Sequence, residues 1–473
     1  MKYSGPISTA FRPRVAGQTL SDWLYTELRQ AILEARIPRG CVLPPSRELA
    51  LQLGISRGVI VHVFGQLQEE GYLVARVGAG TSVATQVPED FLSSAKVFVP
   101  PLPEETDPLY RRPVRAFRTI EPGLAEFPVE TWARVAGRCM RKMSTAILAG
   151  GDVAGYLPLR EAIAAYLGAS RGVACHAGQI FITSGTQQSL DCIARVLTRP
   201  GDALWMEDPG YSGAVDAFRL AGAKIIPVPV DEEGLNVDRG REVCRNPRAI
   251  YLTPAHQFPL GVTLSLDRKI DLLQYTRKQG IAVIEDDYDS EFRFSGRPIP
   301  AMRGLASSDH VFLLGTFNKS LFPSLRLAYM VVPDPYLDPM RKLRLQVERY
   351  PPGISQIVLA SFLEDGHYGK HLRRMREIYG SRLAALQAAV RRYLEGVLRL
   401  PNIEAGLNTP AFLENGMTST EAHARATAAG VECWPLDQFA LARRDLQGLV
   451  LGFAAIDEKA IRRGVQLLAR ALC

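Results

Sequence analysis

A lysine in an apolar context is the residue of this sequence with the clearest capacity for chemistry. Lys319 follows the short β-like run 311–314, and small or apolar residues flank it. Most lysines lie on the surface, because lysine is rarely buried without a partner. In a dry pocket, however, a lysine has a lowered pKa, and its neutral amine can carry an aldehyde as a Schiff base. Lys319 alone is compatible with either interpretation.

An acidic segment upstream of Lys319 favours the second interpretation. The apolar run 281–284 leads directly into an acidic stretch that contains Asp286 and is followed by Tyr288. Acidic residues at the carboxyl end of a strand lie where open α/β sheets bind ligands. Pyridoxal 5'-phosphate needs an aspartate beneath its pyridinium nitrogen, and Tyr288 is suited to contact the ring hydroxyl. These three residues together predict a pyridoxal phosphate site in which Lys319 forms the Schiff base.

The phosphate of such a cofactor needs donors of its own. The β-like run 180–183 leads into a turn of small residues around Gly185, after which a helical pattern begins. A turn of this kind offers free N–H groups and a favourable helix dipole, although many strand–helix turns share the pattern. Arg326 is suited to a two-point grip on phosphate, and its apolar neighbours argue against an ordinary surface charge.

These residues lie in an alternating pattern of strands and helices that starts at about residue 116. The strand candidates are residues 180–183, 203–206, 224–228, 249–252, 281–284 and 311–314. The alternation predicts an α/β domain with a mostly parallel sheet that helices enclose. After about residue 340, long helical stretches and a few short strands predict a smaller subdomain.

The first 85 residues have a different organisation. Thr19 can cap a helix in which Leu24, Leu28 and Ile32 lie on one face. A short second helix ends at a glycine, a third begins after Ser56, and two β-like runs follow around a glycine-rich turn. This order predicts a winged helix-turn-helix over residues 18–85.

DNA is the partner that this module predicts. The N-terminus of a recognition helix enters the major groove, so that its first residues, Ser56 and Arg57, meet phosphates and base edges. Arg47 projects from the preceding helix, while Gly78 and Gly80 let the wing backbone approach DNA closely. Because the excess of basic residues in this module is modest, a small helical domain that binds a protein is the alternative.

Composition sets outer bounds on function. The chain has 473 residues, a formal net charge of +7 and seven scattered cysteines. This length predicts two or three domains, and the mild positive charge permits a nucleic-acid partner without requiring one. The sequence has no Cys-x-x-Cys pair, no apolar signal region and no run of 18 apolar residues. We therefore expect a cytoplasmic protein without disulfides, a metal site or a membrane span.

A proline-rich stretch, residues 86–115, separates the two parts of the chain. It has few periodic apolar residues, and proline favours an extended backbone. We therefore predict a semi-rigid spacer rather than a folded element over these residues.

Two sets of motifs resemble one known family. Segments 43–50, 53–57, 67–73 and 78–81 match the signature of GntR regulators, and the surroundings of Asp286 and Lys319 are similar to type I aminotransferases. The sequence is identified as a member of the MocR-type subfamily of GntR regulators, in which a winged helix is fused to an aminotransferase-like domain. The resemblance covers nearly the whole chain and implies that residues 116–473 form the second domain.

The resemblance also implies site residues and partners. For the cofactor phosphate it implies Gly185, Thr186, Gln187, Thr316 and Arg326. It implies that Tyr211 stacks on the pyridine ring and that the loop containing His256 lies over the cofactor, with no catalytic role assigned to that histidine. For DNA it adds Ser46 to the residues named above. It further implies a head-to-tail homodimer that presents two DNA-binding modules.

Departures from the family pattern bear on the activity. Relatives usually carry polar residues where this chain has Gly58 and Val59, so fewer base-edge contacts are available. Some relatives have a carboxylate-binding arginine at the position of Ala455, and relatives usually have a tyrosine at Gly150 that reaches the neighbouring subunit's phosphate. Without that arginine an amino acid is poorly positioned for reaction. We expect cofactor binding to survive, with at most vestigial transaminase activity.

The sequence leaves three functions to compare. The favoured hypothesis is a pyridoxal phosphate-dependent transcriptional regulator, in which an effector sensed through the aldimine at Lys319 changes DNA binding. That effector is pyridoxal phosphate itself, an amine or an amino acid. The alternative is an active aminotransferase that carries a DNA-binding domain. A scaffold that has lost its cofactor is disfavoured by the presence of Asp286, Tyr288 and Lys319.

Overall fold

The structure, a computed structural model, describes residues 11–14, 17–76, 80–92, 115–294, 300–305 and 308–473. The chain divides into two compact units, Met1–Arg111 and Arg112–Cys473. In these described ranges, no helix is both long enough and apolar enough to cross a membrane. All seven cysteines carry free thiols.

The N-terminal unit is a helix-turn-helix followed by a two-stranded wing. Its elements are α1 (Leu20–Leu33), α2 (Ser46–Leu53), α3 (Arg57–Glu69), β1 (Leu73–Arg76), β2 (Gly80–Val83) and α4 (Pro88–Leu92). Thr19 caps α1 as predicted, since its side chain accepts the N–H of Asp22 at 3.1 Å. Leu24, Leu28 and Ile32 are buried on the inner face of α1, and α1 packs against α3. Strands β1 and β2 pair antiparallel, so the predicted winged helix-turn-helix is confirmed.

The start of the proline-rich spacer differs from the prediction. Residues 88–92 form α4 rather than extended chain, and Val87 is fully buried in the core of the N-terminal unit. Asp90 accepts the N–H of Val87 at 3.0 Å and pairs with Arg39. These contacts hold the segment in place, and proline is tolerated at the first helical position because that N–H needs no helical partner. Residues 93–114 of the spacer lie outside the described residues.

The C-terminal unit is built on a sheet of eight strands in the part of the chain that the structure describes. They are β3 (Ile180–Thr183), β4 (Ala203–Asp208), β5 (Lys224–Asp231), β6 (Gly234–Leu235), β7 (Ala249–Leu252), β8 (Ala282–Asp287), β9 (Val311–Thr316) and β10 (Ala328–Val331). Their order across the sheet is β3-β10-β9-β8-β7-β4-β5-β6. Only β10 and β6 run antiparallel to their neighbours in this described sheet. The predicted mostly parallel sheet is confirmed, and the carboxyl ends of β3, β4, β7, β8 and β9 lie on one edge.

Helices enclose this sheet and build a smaller subdomain with a second sheet. Those before β10 are α5 (Val129–Arg141), α6 (Thr145–Leu148), α7 (Leu157–Arg171), α8 (Thr186–Leu197), α9 (Ser212–Leu220), α10 (Val237–Val243) and α11 (Leu266–Gln279). The helices after β10 are α12 (Leu337–Val347), α13 (Gly353–Glu364), α14 (His367–Tyr393), α15 (Ser419–Ala428) and α16 (Glu458–Leu472). The second sheet is antiparallel and consists of β11 (Leu398–Arg399), β12 (Asn408–Leu413), β13 (Trp434–Pro435) and β14 (Gly448–Gly452).

Most strands of the large sheet are buried on both faces, which explains their apolar sequences. In β9, Leu313 packs into one core cluster, whereas Phe312 and Leu314 pack into another, because successive side chains of a strand point to opposite faces. Strands that are covered on both faces are nearly continuous apolar runs. The polar side chains that follow these runs therefore collect at the carboxyl edge of the sheet.

Candidate functional site

A cavity of about 210 Å³ lies at this carboxyl edge. All nine residues that the sequence pointed to for a cofactor line it. They are Gly185, Thr186, Gln187, Tyr211, Asp286, Tyr288, Thr316, Lys319 and Arg326. The other lining residues are Ile120, Tyr251, Thr253, Phe258, Asn318 and Pro323. Segments that are far apart in the chain thus meet at one place because the strands that precede them are neighbours in the sheet.

Lys319 lies in the turn after β9 with its amine inside the cavity. Burial lowers the pKa of this amine to about 8, although the negative charges of Asp289 and Glu121 oppose the shift. The Nζ atom donates a hydrogen bond to the carbonyl oxygen of Ile120 at 2.9 Å. Ile120 has φ +59°, a left-handed conformation that is strained for a β-branched residue. At a pKa of about 8, about a tenth of the amine is neutral at pH 7 and can act as a nucleophile.

This lowered pKa predicts how the rate of cofactor attachment depends on pH. With cofactor-free protein, we expect the rate of attachment of pyridoxal phosphate to Lys319 to rise about tenfold per pH unit and to level off near pH 8, since only the neutral amine attacks. Stopped-flow absorbance would measure it, with free lysine amide as the reference reaction. A rate that keeps rising to pH 10 would show that the amine is as well solvated as in water.

Asp286 lies at the carboxyl end of β8 and faces the cavity. Its Oδ2 atom accepts a hydrogen bond from the Tyr251 hydroxyl at 2.8 Å, whereas its buried Oδ1 atom has no partner among the described residues. Burial raises the pKa of this carboxyl to about 7. Because an unpartnered buried acceptor is unfavourable, the site fits a ligand with an N–H group at this position. A protonated pyridine nitrogen is such a group.

Two tyrosines face the cavity from different strands. Tyr288 follows β8, and its hydroxyl lies 3.0 Å from His256 Nδ1. Tyr211 follows β4, and its hydroxyl lies 3.5 Å from the Gln187 side chain. Gly213 must be a glycine here, since a Cβ would lie 2.5 Å from the Tyr211 ring. The Tyr211 ring is therefore free to form a wall of the cavity.

The opposite end of the cavity offers hydrogen-bond donors without acceptors. The backbone N–H groups of Gly185, Thr186 and Gln187 begin α8 and have no acceptor among the described residues. A Cβ on Gly185 would lie 3.3 Å from Nη2 of Arg326, so glycine allows the guanidinium to approach closely. Arg326 has φ +52°. It is exposed despite its apolar sequence neighbours, and it lines the cavity. This end fits a phosphate group.

Tyr251 is the main cavity residue that the sequence analysis did not single out. It lies in β7 beside β8, and the register pairs it with Ile284. Its pKa is raised well above the ordinary value by burial and by the charge of Asp286, so it stays a hydrogen-bond donor. In the sequence it is one aromatic residue in an apolar strand, and no local pattern distinguishes it from a core tyrosine.

The two departures in the C-terminal unit, Ala455 and Gly150, both lie outside the cavity lining. Ala455 is not among the residues that line it. The buried Arg382 donates to the carbonyl oxygen of the adjacent Ala454 and is paired with Glu126, so it is already engaged. At Gly150, which has φ +132°, a Cβ would lie 3.0 Å from the Tyr350 ring. A larger side chain at residue 150 would require that ring to move.

The residues predicted to contact DNA lie on the outer surface of the N-terminal unit. Arg47 projects from α2, and Arg57 begins α3; both side chains are exposed. The Arg57 Nε atom donates to the Ser46 hydroxyl at 3.2 Å, which orients the guanidinium. Ser56 is the N-cap residue of α3, and its side chain makes no capping hydrogen bond. Gly80 is exposed at the start of β2. Gly78 lies outside the described residues.

Known proteins resemble both parts of the chain. Residues 122–404 match the family described as "Aminotransferase class I and II", and residues 20–83 match "Bacterial regulatory proteins, gntR family". The chain is 37% identical to the "Probable rhizopine catabolism regulatory protein MocR" of Rhizobium meliloti, over 95% of this chain and 92% of that protein. It is 32% identical to the "Uncharacterized HTH-type transcriptional regulator YdeL" of Bacillus subtilis, over 98% of this chain and 99% of that protein.

Among solved structures, the C-terminal unit is similar to LysN, an alpha-aminoadipate aminotransferase from Thermus thermophilus. The TM-score is 0.70 at 30% identity, and the match covers 76% of this chain and 92% of that one. The LysN structure is a complex with N-(5'-phosphopyridoxyl)-L-leucine. The enzyme likeness therefore falls on the unit that holds the cavity, whereas the regulator likeness extends over both units.

Proposed function

Because the chain belongs to the MocR-type subfamily of GntR transcriptional regulators, we propose that its C-terminal unit senses a primary amine through pyridoxal phosphate and thereby changes DNA binding. The protein is a DNA-binding regulator with pyridoxal 5'-phosphate as its cofactor. The observation that carries the proposal is that all nine predicted cofactor residues, Lys319 among them, line one cavity.

The proposed roles follow from the donors and acceptors of this cavity. Lys319 carries the cofactor, and the unpartnered Oδ1 of Asp286 accepts the pyridinium N–H. Tyr211 stacks on the ring, and Tyr288 contacts the ring hydroxyl. The backbone N–H groups at the start of α8, together with Arg326 and Thr316, hold the phosphate. When bound, the cofactor would supply an aldehyde carbon at which an incoming primary amine can replace the amine of Lys319.

The charges of the cavity favour an amine without a carboxylate as effector. Among the described residues, Lys319 and Arg326 are the cations that line the cavity, and both are engaged by the cofactor in this proposal. The remaining wall includes Ile120 and Phe258, and Phe258 shares its apolar cluster with the fully buried Val450. A carboxylate placed against this wall would lose its hydration without gaining a partner.

Paired ligands with the same side chain test this proposal. The cofactor-loaded protein would be bound to DNA that it has enriched from a random double-stranded pool, and fluorescence anisotropy would follow the complex. We expect isoamylamine and phenethylamine to change DNA affinity at concentrations about tenfold or more below those of leucine and phenylalanine, since the carboxylate is penalised by at least about 1.4 kcal/mol. Lys319→Ala should respond to none of them.

The results separate the parts of the proposal. Equal or greater potency of the amino acids would contradict the effector class and would show that another cation reaches the cavity. If neither a ligand nor the cofactor changes DNA affinity, the proposal that the C-terminal unit acts as a sensor is contradicted. A transaminase function is disfavoured by the same lack of a carboxylate partner, and turnover of an amino donor with a keto acid would favour it instead.

We also propose that two copies form a head-to-tail dimer, which would present two winged helices to paired half-sites. Apolar side chains are exposed on helices of the C-terminal unit, including Val129, Leu148, Leu157 and Ile354. A second copy would cover such residues, and sedimentation equilibrium measures the mass.

A further inference from the structure

A buried histidine–aspartate pair lies behind Tyr288. The Nδ1 atom of His256 lies 2.9 Å from Asp289 Oδ2 and 3.0 Å from the Tyr288 hydroxyl oxygen. His256 is 4% exposed and Asp289 is 1% exposed. Neither residue lines the cavity, whereas Tyr288 does. The pair therefore reaches the cavity through the tyrosine.

The hydrogen-bond network assigns the proton on His256. An ionised carboxylate accepts hydrogen bonds and cannot donate, so the contact with Asp289 requires a proton on Nδ1. A protonated Nδ1 cannot accept the proton of the Tyr288 hydroxyl. The tyrosine oxygen can only accept the Nδ1–H, in competition with Asp289. No other described residue accepts a hydrogen bond from Tyr288, so its O–H group remains available to the cavity that it lines.

The surroundings fix the imidazole in this position. A Cβ on Gly406 would lie 2.1 Å from His256 Cε1, and a Cβ on Gly261 would lie 3.3 Å from His256 Nε2. Both glycines have positive φ, +97° and +76°, which other residues rarely adopt. The N–H of Leu407 donates to Asp289 Oδ2 at 3.3 Å. The ring and the carboxylate are thus held from two segments of the chain.

The charges around Tyr288 keep its hydroxyl protonated. The carboxylates that act on it are those of Asp289, Asp286, Glu207 and Asp287. Burial and these negative charges raise the pKa of the phenol well above its ordinary value. Lys319 also faces the cavity from the turn after β9. The Tyr288 phenol is therefore a hydrogen-bond donor. His256 and Asp289 determine the direction in which its O–H bond points.

We propose that His256 and Asp289 are positioning residues that hold the Tyr288 hydroxyl as a donor to the ring oxygen of bound pyridoxal phosphate. The inference rests on the proposed cofactor role of Tyr288. A donor at the ring oxygen would stabilise the anionic form of that oxygen and would therefore lower the pH at which the bound cofactor loses its proton. Loss of the donor should therefore shift the pH at which the visible absorbance of the bound cofactor changes.

The pH midpoint of that absorbance change is the measurement. We expect Tyr288→Phe, His256→Leu and Asp289→Asn each to raise the midpoint by about one pH unit, the size that the loss of one hydrogen bond produces. In Asp289→Asn, Nδ1 no longer has to keep its proton and can accept the tyrosine proton instead. His256→Asn retains an N–H group near the Nδ1 position and should restore a midpoint close to that of the wild type.

A matched control separates positioning from general loosening of the fold. His310 is partly buried in the same unit, bonds to Thr276 and does not line the cavity, so His310→Leu should leave the midpoint unchanged. Wild-type midpoints in His256→Leu and Asp289→Asn would overturn the inference while leaving the proposed function standing. If His256→Leu fails to fold, Asp289→Asn and His256→Asn decide. A wild-type protein without a visible band after addition of pyridoxal phosphate would overturn both.

Discussion

Replacement of Lys319 by alanine is expected to abolish the visible absorbance band of the protein loaded with pyridoxal phosphate. The amine is the group in the described cavity that can form a covalent bond with an aldehyde, and burial lowers its pKa to about 8. Alanine leaves the described lining of the cavity without an amine, so borohydride should trap no cofactor on the chain.

The phosphate donors and Asp286 remain in this variant. We therefore expect reversible binding that is weaker by about 100-fold, equivalent to about 2.7 kcal/mol. Absorbance spectra, together with intact mass after borohydride treatment, would measure the two effects separately.

Lys269 provides a control for this substitution. It is also buried, and burial also lowers its pKa, but its Nζ atom donates to the carbonyl oxygen of Pro300, and the residue does not line the cavity. Lys269→Met should keep the band and the trapped mass. A band that persists in Lys319→Ala, or one that disappears in Lys269→Met with the fold intact, would argue that the cofactor is carried elsewhere.

Replacement of Arg57 by alanine is expected to weaken DNA binding by about 1–3 kcal/mol, or about 5- to 150-fold, without altering the cofactor spectrum. Arg57 is exposed at the first position of α3, and its hydrogen bond to Ser46 directs the guanidinium. The first turn of α3 offers no other polar side chain, because Gly58, Val59 and Ile60 follow Arg57. A single arginine therefore carries a large share of the available contacts on this helix.

Titrations at several salt concentrations would show what Arg57 contacts. Loss of a phosphate contact lowers affinity for every sequence and reduces the salt slope by about one, whereas loss of a base contact relaxes specificity at one position. Arg36→Ala is the matched control, since Arg36 is paired with Glu34 at 2.7 Å after α1. Equal weakening in both variants, or loss of the cofactor band in Arg57→Ala, would point to disturbed folding.

The sequence by itself was sufficient for six strands of the large sheet, for the helix-turn-helix and for most of the chemical groups of the site. Each of the six predicted strands is present in the large sheet, and most of them are buried on both faces, where a strand is a continuous apolar run. Asp286 at the carboxyl end of β8 and Lys319 in the turn after β9 are recognisable because a polar group at the end of an apolar run lies at the edge of the sheet. The cap at Thr19 and the helix-turn-helix depend on neighbours only a few residues away.

Tertiary structure decided how those groups are held. Tyr251 supports Asp286 because β7 and β8 are paired in a particular register. The carbonyl oxygen of Ile120 reaches Lys319 from a distant part of the chain. Val87 is buried and α4 is held in place because Asp90 pairs with Arg39, which lies earlier in the N-terminal unit. Proline content alone predicted an extended chain for these residues.

The same distinction applies to His256. As a lone histidine in a loop it has no sequence signal for a role, and its chemistry depends on Asp289 and Tyr288, which the fold brings to the same nitrogen atom. Local patterns specify which side chains are available, since they reflect burial and backbone preference over a few residues. The partner that each buried polar group finds, and hence its proton and its pKa, is set by long-range packing, which only the folded chain determines.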